Sequence, residues 1–226
     1  GFEARASIDT LPLMERAWAQ RAGLGFLGKN SCLIIPGIGS HVFLSGLVTS
    51  AELPADEPMR ERCGQCRLCL DACPTDAFAG ERDLDARRCI AYLTIETRGP
   101  IDTELRPQIG PHLFGCDVCQ DVCPYNRTSL VDATHTEPFA PRERLRTTTA
   151  SGLLKMNEEA FLEWANGSPM RRPGREGMAR NAAIVLGNSR EKRHLPILRE
   201  TAAYHDLATV RDAAAWAAQA LTTKGE

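Results

Sequence analysis

Apolar and polar residues are patterned along this chain in three different ways. Residues 9–22 place Leu13, Met14, Ala17 and Trp18 on one stripe and Glu15, Arg16 and Gln20 off it, the spacing of an amphipathic helix. Asp9 or Thr10 stands where a cap belongs, and Gly23 stands where the helix should end. Ser31 to Ile35 and His41 to Thr49 are β-rich runs around Pro36-Gly37-Ile38-Gly39-Ser40, which predicts a hairpin or neighbouring strands of one sheet. An acidic stretch containing proline, Ala51 to Glu61, leads into a cysteine region without apolar period that runs to about Asn126. A loop-like stretch, Arg127 to Pro141, follows. The rest reads as helix: Met178 to Leu186 ended by Gly187, then Leu195 to Tyr204, then Ala208 to Leu221. Arg180-Asn181-Ala182-Ala183 and Arg211-Asp212-Ala213-Ala214 lie 31 residues apart, a weak repeat at the period of helical-pair solenoids.

With 226 residues, 43% of them apolar, the chain can bury one sizeable core or two smaller ones. No apolar run approaches the roughly 18 residues of a membrane span, and Gly1-Phe2-Glu3 opens neither a signal nor a transit peptide. A cytoplasmic chain away from membranes is expected. Net charge is only -2, but it is unevenly spread: residues 1–141 hold 13 Lys and Arg against 19 Asp and Glu, and residues 142–226 hold 14 against 10. In the basic back, Arg171, Arg172, Arg175, Arg180, Arg190, Lys192 and Arg193 face only Glu176 and Glu191. Such a block is either a phosphate-binding surface or a solvated helical face.

The nine cysteines change the picture most. Clustered cysteines in a reducing compartment bind metal, and spacing decides which. Cys63-x2-Cys66-x2-Cys69-x3-Cys73-Pro74 is the run of bacterial ferredoxins, in which three thiolates grip one [4Fe–4S] cube and the fourth reaches another. Cys116-x2-Cys119-x3-Cys123-Pro124 is a second copy lacking its first cysteine, and Cys89 stands alone between them. Crossing the fourth ligands assigns one cluster to Cys63, Cys66, Cys69 and Cys123, and the other to Cys73, Cys89, Cys116 and Cys119. Zinc sites use two cysteine pairs, whereas here three cysteines come at successive steps of three. Cys32, in an apolar run outside both copies, reads as a core thiol.

Gly23-Leu24-Gly25-Phe26-Leu27-Gly28-Lys29-Asn30 matches the glycine patterns of dinucleotide and phosphate loops, but those need a strand before and a helix after. The expected order here is reversed, which excludes nucleotide binding by that mechanism. Two readings stay open: a helix cap followed by a turn, or a backbone against which a large ligand lies.

Asp9-Thr10 ahead of the helix, the Gly23 to Asn30 segment, the first cysteine run, Cys89-Ile90-Ala91-Tyr92-Leu93-Thr94-Ile95-Glu96 and Phe114-Gly115-Cys116-Asp117-Val118-Cys119-Gln120-Asp121-Val122-Cys123-Pro124-Tyr125-Asn126 together resemble the epoxyqueuosine reductases. The resemblance implies an α+β chain of three parts. These are the end of a cobalamin-binding α/β domain (1–55), a ferredoxin-like module with two [4Fe–4S] clusters (56–141) and a HEAT-like helical tRNA-binding domain (142–226). This chain would be roughly the C-terminal two-thirds of such a protein, with a front segment on the order of a hundred residues before it. Tyr125 stands where the family pattern suggests Trp.

The implied activity is reduction of epoxyqueuosine to queuosine at the wobble position of tRNA by a monomer, with electrons passing from an external donor through the clusters to cobalamin. Opening the epoxide takes two electrons and a proton for the departing oxygen. On the resemblance Asp9 supplies that proton, which asks for a desolvated pocket that lifts its pKa. Gly28, Lys29, Asn30, Ser31 and Leu33 would line cobalamin, with Asp117 and Gln120 approaching it. Arg98, Arg171, Arg172, Arg175 and Arg180 would contact tRNA phosphates. The rival reading from the residues alone is an electron-transfer module serving a partner enzyme, which uses the cysteines and leaves Asp9 and the Gly-Lys-Asn turn idle.

Overall fold

The computed structural model describes residues 1–9, 11–127, 140 and 142–223. The chain divides into two compact units, Gly1–Leu84 with Asp117–Glu137, and Asp85–Cys116 with Pro138–Glu226. In chain order the elements are β1 (Ala4–Ser7), α1 (Glu15–Arg21), β2 (Phe26–Leu27), β3 (Leu33–Ile34), β4 (Gly46–Thr49), α2 (Leu68–Asp71), β5 (Phe78–Gly80), β6 (Asp83–Leu84), α3 (Ile90–Ile95), α4 (Arg106–Ile109), α5 (Val118–Asp121), α6 (Pro124–Arg127), α7 (Glu143–Thr147), α8 (Ala150–Lys155), α9 (Glu158–Trp164), α10 (Gly174–Asn188), α11 (Leu195–Tyr204) and α12 (Ala208–Thr223). This is the helix-rich α+β class expected. Both units draw on the cysteine region, so the compact units do not follow the three segments read from sequence.

In the first unit α1 starts at Glu15, not at Asp9, and its N-cap Met14 makes no side-chain cap. Pro12 is the reason: it disfavours helical backbone at the residue before it. Of the two expected caps, Asp9 is thus too early, and Thr10 lies outside the described residues. Gly23 does end the helix, at φ +65°, with its N–H on the Gln20 carbonyl at 3.1 Å. The two β-rich runs do not pair with each other. β3 pairs with β2, Leu33 opposite Leu27, and β4 pairs with β1, Gly46 opposite Ser7. The turn between them closes on itself through an Ile35–Gly39 bridge, which leaves no register for a hairpin. Phe26 and Ile34, both fully buried, and Cys123 form this unit's apolar core, with Met59, Cys63 and Tyr125 packed against it.

The second unit is built around α10, which is buried nearly all round because α3, α4, α8, α9 and α12 all pack on it. The expected helix end at Gly187 is not seen; α10 runs through it to Asn188. Gly187 serves packing instead. A Cβ there would meet the Ala217 Cβ at 2.7 Å, so its absence lets α10 and α12 approach. α11 has the predicted bounds, and α12 runs two residues past its predicted end. Among the described residues no helix is long and apolar enough to cross a membrane.

Candidate metal centre

The two cysteine copies fold alike. α2 and α5 are single turns that begin two residues after Cys66 and Cys116, and the flanking Arg67 and Asp117 share one conformation, φ -128° ψ 6° and φ -112° ψ 13°. In each copy that flanking carbonyl accepts the N–H groups three and four residues on, at 2.9 and 3.1 Å for Arg67 and at 2.8 Å twice for Asp117. A spacing of two residues between cysteines, followed by one helical turn, turns successive side chains inward. The outcome is that Cys63, Cys66, Cys69 and Cys123, all of the first unit, line one cavity together with Lys29, Asn30, Ile34 and Tyr125. The crossed ligand set read from the spacing is brought together there.

Among the described residues no three His, Cys, Asp or Glu side chains are disposed to hold a single ion. Four sulfur donors around an apolar-walled cavity suit a cluster. Burial pushes the Cys63 thiol up to about 11 and also raises Cys69, so binding metal must release their protons. Cys73 Sγ accepts the Ala77 N–H at 3.3 Å and lies 3.7 Å from Thr75 Oγ1. In the second unit, Cys89 is the residue before α3, and Cys116 Sγ lies 4.0 Å from His112 Nε2. Cys32 is not a core thiol: it is half-buried, and its hydrogen bond to Cys119, ahead of burial, pushes the Cys119 thiol far up.

The glycine segment resolves into β2, a tight turn and β3. Gly28 and Cys32 share a 2.9 Å hydrogen bond, and the turn tip is Lys29, Asn30 and Ser31, the last at φ +65°. Gly25 and Gly28 are required by Ile34, whose carbonyl and Cδ1 would meet their Cβ atoms at 2.4 and 2.6 Å. The Lys29 and Asn30 side chains are buried and reach the cysteine loops. Lys29 Nζ donates to the Gly64 carbonyl at 2.7 Å and pairs with Glu81 at 2.9 Å. Asn30 donates to the Cys119 carbonyl at 3.1 Å and accepts the Cys32 N–H at 3.2 Å. One turn therefore ties the two cysteine copies of this unit together.

These contacts engage the polar atoms of the Lys29 and Asn30 side chains, both expected to line cobalamin, within the protein. Gln120 is engaged as well: it donates to Asp117 Oδ1 at 3.0 Å and accepts from Ser40 Oγ at 2.9 Å. Asn126 donates to Ser40 Oγ and to the Gln120 carbonyl. Ser31 differs, since its Oγ is buried without a hydrogen-bond partner among the described residues, as is that of Ser7. Leu33 is buried. Sequence reasoning missed Glu81, Ser40 and the Phe26–Tyr125 edge contact at 5.3 Å, of which Tyr125 lines the cavity. Asn126 stood in the quoted Pro-Tyr-Asn motif, whereas nothing local marked Glu81.

Asp9 is exposed and held at φ +52°, in the loop between β1 and α1. The desolvated pocket expected around it is not formed by these residues. Of the arginines, Arg98 and Arg171 are exposed, and Arg98 donates to the Arg172 carbonyl at 2.7 Å. Arg172, also exposed, pairs with Glu96 at 2.6 Å. Two assignments are overturned. Arg175 is buried, hydrogen-bonded to both carboxylate oxygens of Asp206 and paired with Glu158 at 3.5 Å. Arg180 is only 1% exposed and donates to the carbonyls of Leu93, Thr97 and Gly99 at 2.9, 2.9 and 2.6 Å. Neither can reach a phosphate.

Residues 62–126 match the family model of a 4Fe-4S double cluster binding domain. The epoxyqueuosine reductase of Pseudomonas aeruginosa is 48% identical over 189 residues, covering 83% of this chain and 52% of that protein. A crystal structure of epoxyqueuosine reductase with an epoxyqueuosine-modified tRNA-Tyr stem loop superposes with a TM-score of 0.88 at 34% identity, over 97% of this chain and 58% of that one. The Bacillus subtilis epoxyqueuosine reductase, solved with its catalytic aspartate loop swung out of the active site, gives the same TM-score and identity over 97% and 57%. The chain thus spans about half the length of the curated relatives it matches.

Proposed function

Starting from a chain related to the epoxyqueuosine reductases along 52% of one of them, we propose that it carries the electron-relay and tRNA-facing part of an enzyme that reduces epoxyqueuosine to queuosine in tRNA. What supports this most is the likeness, over 97% of the chain, to a structure holding an epoxyqueuosine-modified stem loop. Two [4Fe–4S] clusters are assigned to the eight cysteines: one to the cavity of Cys63, Cys66, Cys69 and Cys123, and one, from the run spacing, to Cys73, Cys89, Cys116 and Cys119.

Cobalamin, when bound, supplies a strongly reducing cobalt centre. The residues fit such a ligand at Ser31, whose buried Oγ has no hydrogen-bond partner among the described residues, with Gly28 and Leu33 as its wall. The polar atoms of Lys29, Asn30 and Gln120 are engaged within the protein, so their part in lining the ligand would be through backbone and apolar contact. Asp9 holds the proton for the departing epoxide oxygen, and its loop position with φ +52° suits a residue that is not a helix cap. The reading of 142–226 as HEAT-like rests on α12 packing against both α10 and α11. The cations offered to phosphate are Arg98, just past α3, with Arg171, Arg172, Arg190 and Lys192. The last two stand with Trp216 at a 720 Å³ cavity, a charge-and-stacking combination suited to RNA.

Single-turnover reduction of an epoxyqueuosine stem loop, with chemically reduced, cobalamin-supplied protein, tests the proposal. Asp9→Asn should keep its iron and its stem-loop affinity and lose about 10²-fold or more in rate. An unchanged rate would remove Asp9 from the chemistry. An electron-transfer module would instead show no corrinoid absorption after incubation with cobalamin and desalting.

A further inference from the structure

Lys29 was expected at the cobalamin, yet its ammonium points into the loop between the first two cysteines. It is 6% exposed, donates at 2.7 Å to the carbonyl of Gly64, which follows Cys63, and lines the same cavity as Cys63, Cys66, Cys69 and Cys123. Among the described residues its salt-bridge partner is Glu81, 2.9 Å away and half exposed. Arg82, next to Glu81, donates its N–H to the Lys29 carbonyl at 2.8 Å, so the β5–β6 hairpin is registered on the turn that carries the lysine. On the other side, Glu61 accepts the Cys63 N–H. A buried cation is costly unless something nearby uses its charge, and Glu81 and Glu61, both largely solvated, compensate it only in part.

We propose that Lys29 is a positioning residue that sets the reduction potential of the cluster held by Cys63, Cys66, Cys69 and Cys123, with Glu81 as the counter-charge that trims its effect. The inference rests on the reading of these four thiols as cluster ligands. The physical argument is one of charge. Reduction brings one electron and no proton into a site already carrying thiolate charge, so a fixed ammonium stabilises the reduced form more than the oxidised one. The 2.9 Å ion pair with Glu81 helps hold the ammonium in this place. The hydrogen bond to Gly64 fixes the distance between charge and cluster. Lys29 thereby makes this cluster easier to reduce than it would be without the ammonium.

Redox titration of the cluster-loaded full chain, followed by electron paramagnetic resonance, decides the matter. Lys29→Met should shift one of the two couples downward by about tenfold in its reduction equilibrium, or about 59 mV for one electron, and leave the other nearly in place. Lys29→Arg should restore it. Glu81→Gln, on an exposed side chain, should move the same couple upward. Opposite signs are the distinguishing mark, since mere loosening of the loop would displace both variants in the same direction. Unchanged potentials in an iron-replete Lys29→Met protein overturn the inference. Should that variant lose iron, Glu81→Gln decides alone, and no upward shift overturns it. Wild-type protein without acid-labile sulfide would instead overturn the cluster reading, and the inference with it.

Discussion

Arg171 and Arg180 belong to one basic block, and the fold puts them to opposite uses. Arg180 is buried against three backbone carbonyls around the end of α3, and neighbouring Asn181 donates to the carbonyls of Thr94 and Leu113 at 2.8 and 3.0 Å. Between them they hold both the helix that follows Cys89 and the segment that leads to Cys116. Burial lowers the Arg180 pKa to about 10, so it is still charged at neutral pH. Arg180→Met would strand those carbonyls and should cost about 3 kcal/mol or more, read from urea denaturation. Arg171→Glu should change stability by less than about 0.5 kcal/mol and instead weaken stem-loop binding and flatten its salt dependence. A wild-type urea midpoint for Arg180→Met would return that residue to the surface. The block was legible as charge, but not which cations are solvated. The partners of Arg180 lie 81 to 87 residues earlier, where no local pattern can register them.

Glycine shows at the level of elements why some boundaries could be read and others not. Gly23 carries a positive φ, the local requirement that makes it a helix terminator, and the sequence reading of it holds. Gly187 has no such φ and sits inside α10 because of a neighbour thirty residues away, Ala217 of α12. Its role was therefore invisible to capping rules. Ala at 187 would gain about 1 kcal/mol of helix propensity but lose about 1–3 kcal/mol to overpacking. Gly187→Ala should lower the melting temperature by a few degrees, and an increase would show that the α10–α12 contact yields more easily than the geometry indicates. The short strands were misread for a related reason. Two-residue ladders such as β2–β3 are chosen by the turn between them, here Gly28 to Cys32, and a β-rich run cannot reveal which partner it takes.

At the scale of the whole molecule, the two units differ in what can hold each one together. The second has a continuous apolar core running from Ile90 and Leu93 through Met178, Ala182 and Ile184 to Val210, Ala214 and Leu221. The first has Phe26, Ile34 and the cluster-lining Cys123, with large side chains such as Phe43, Leu47 and Leu53 exposed. A core so small falls below what hydrophobic burial ordinarily sustains, so metal binding should make up the difference, its free energy acting directly as folding free energy. Hydrogen exchange measured with clusters in place and after anaerobic chelation checks this. Amides of residues 26–34 and 66–73 should lose more than about tenfold in protection on removal of iron, or at least about 1.4 kcal/mol of local stability. Amides of residues 213–217 in α12 should change less than about threefold, because their burial against α10 and α11 needs no thiolate. Equal loss in both regions would mean that the clusters support the fold as a whole. No loss in the first would mean that its turns and short ladders stand without metal, and the cysteine loops would then be a preformed receptacle.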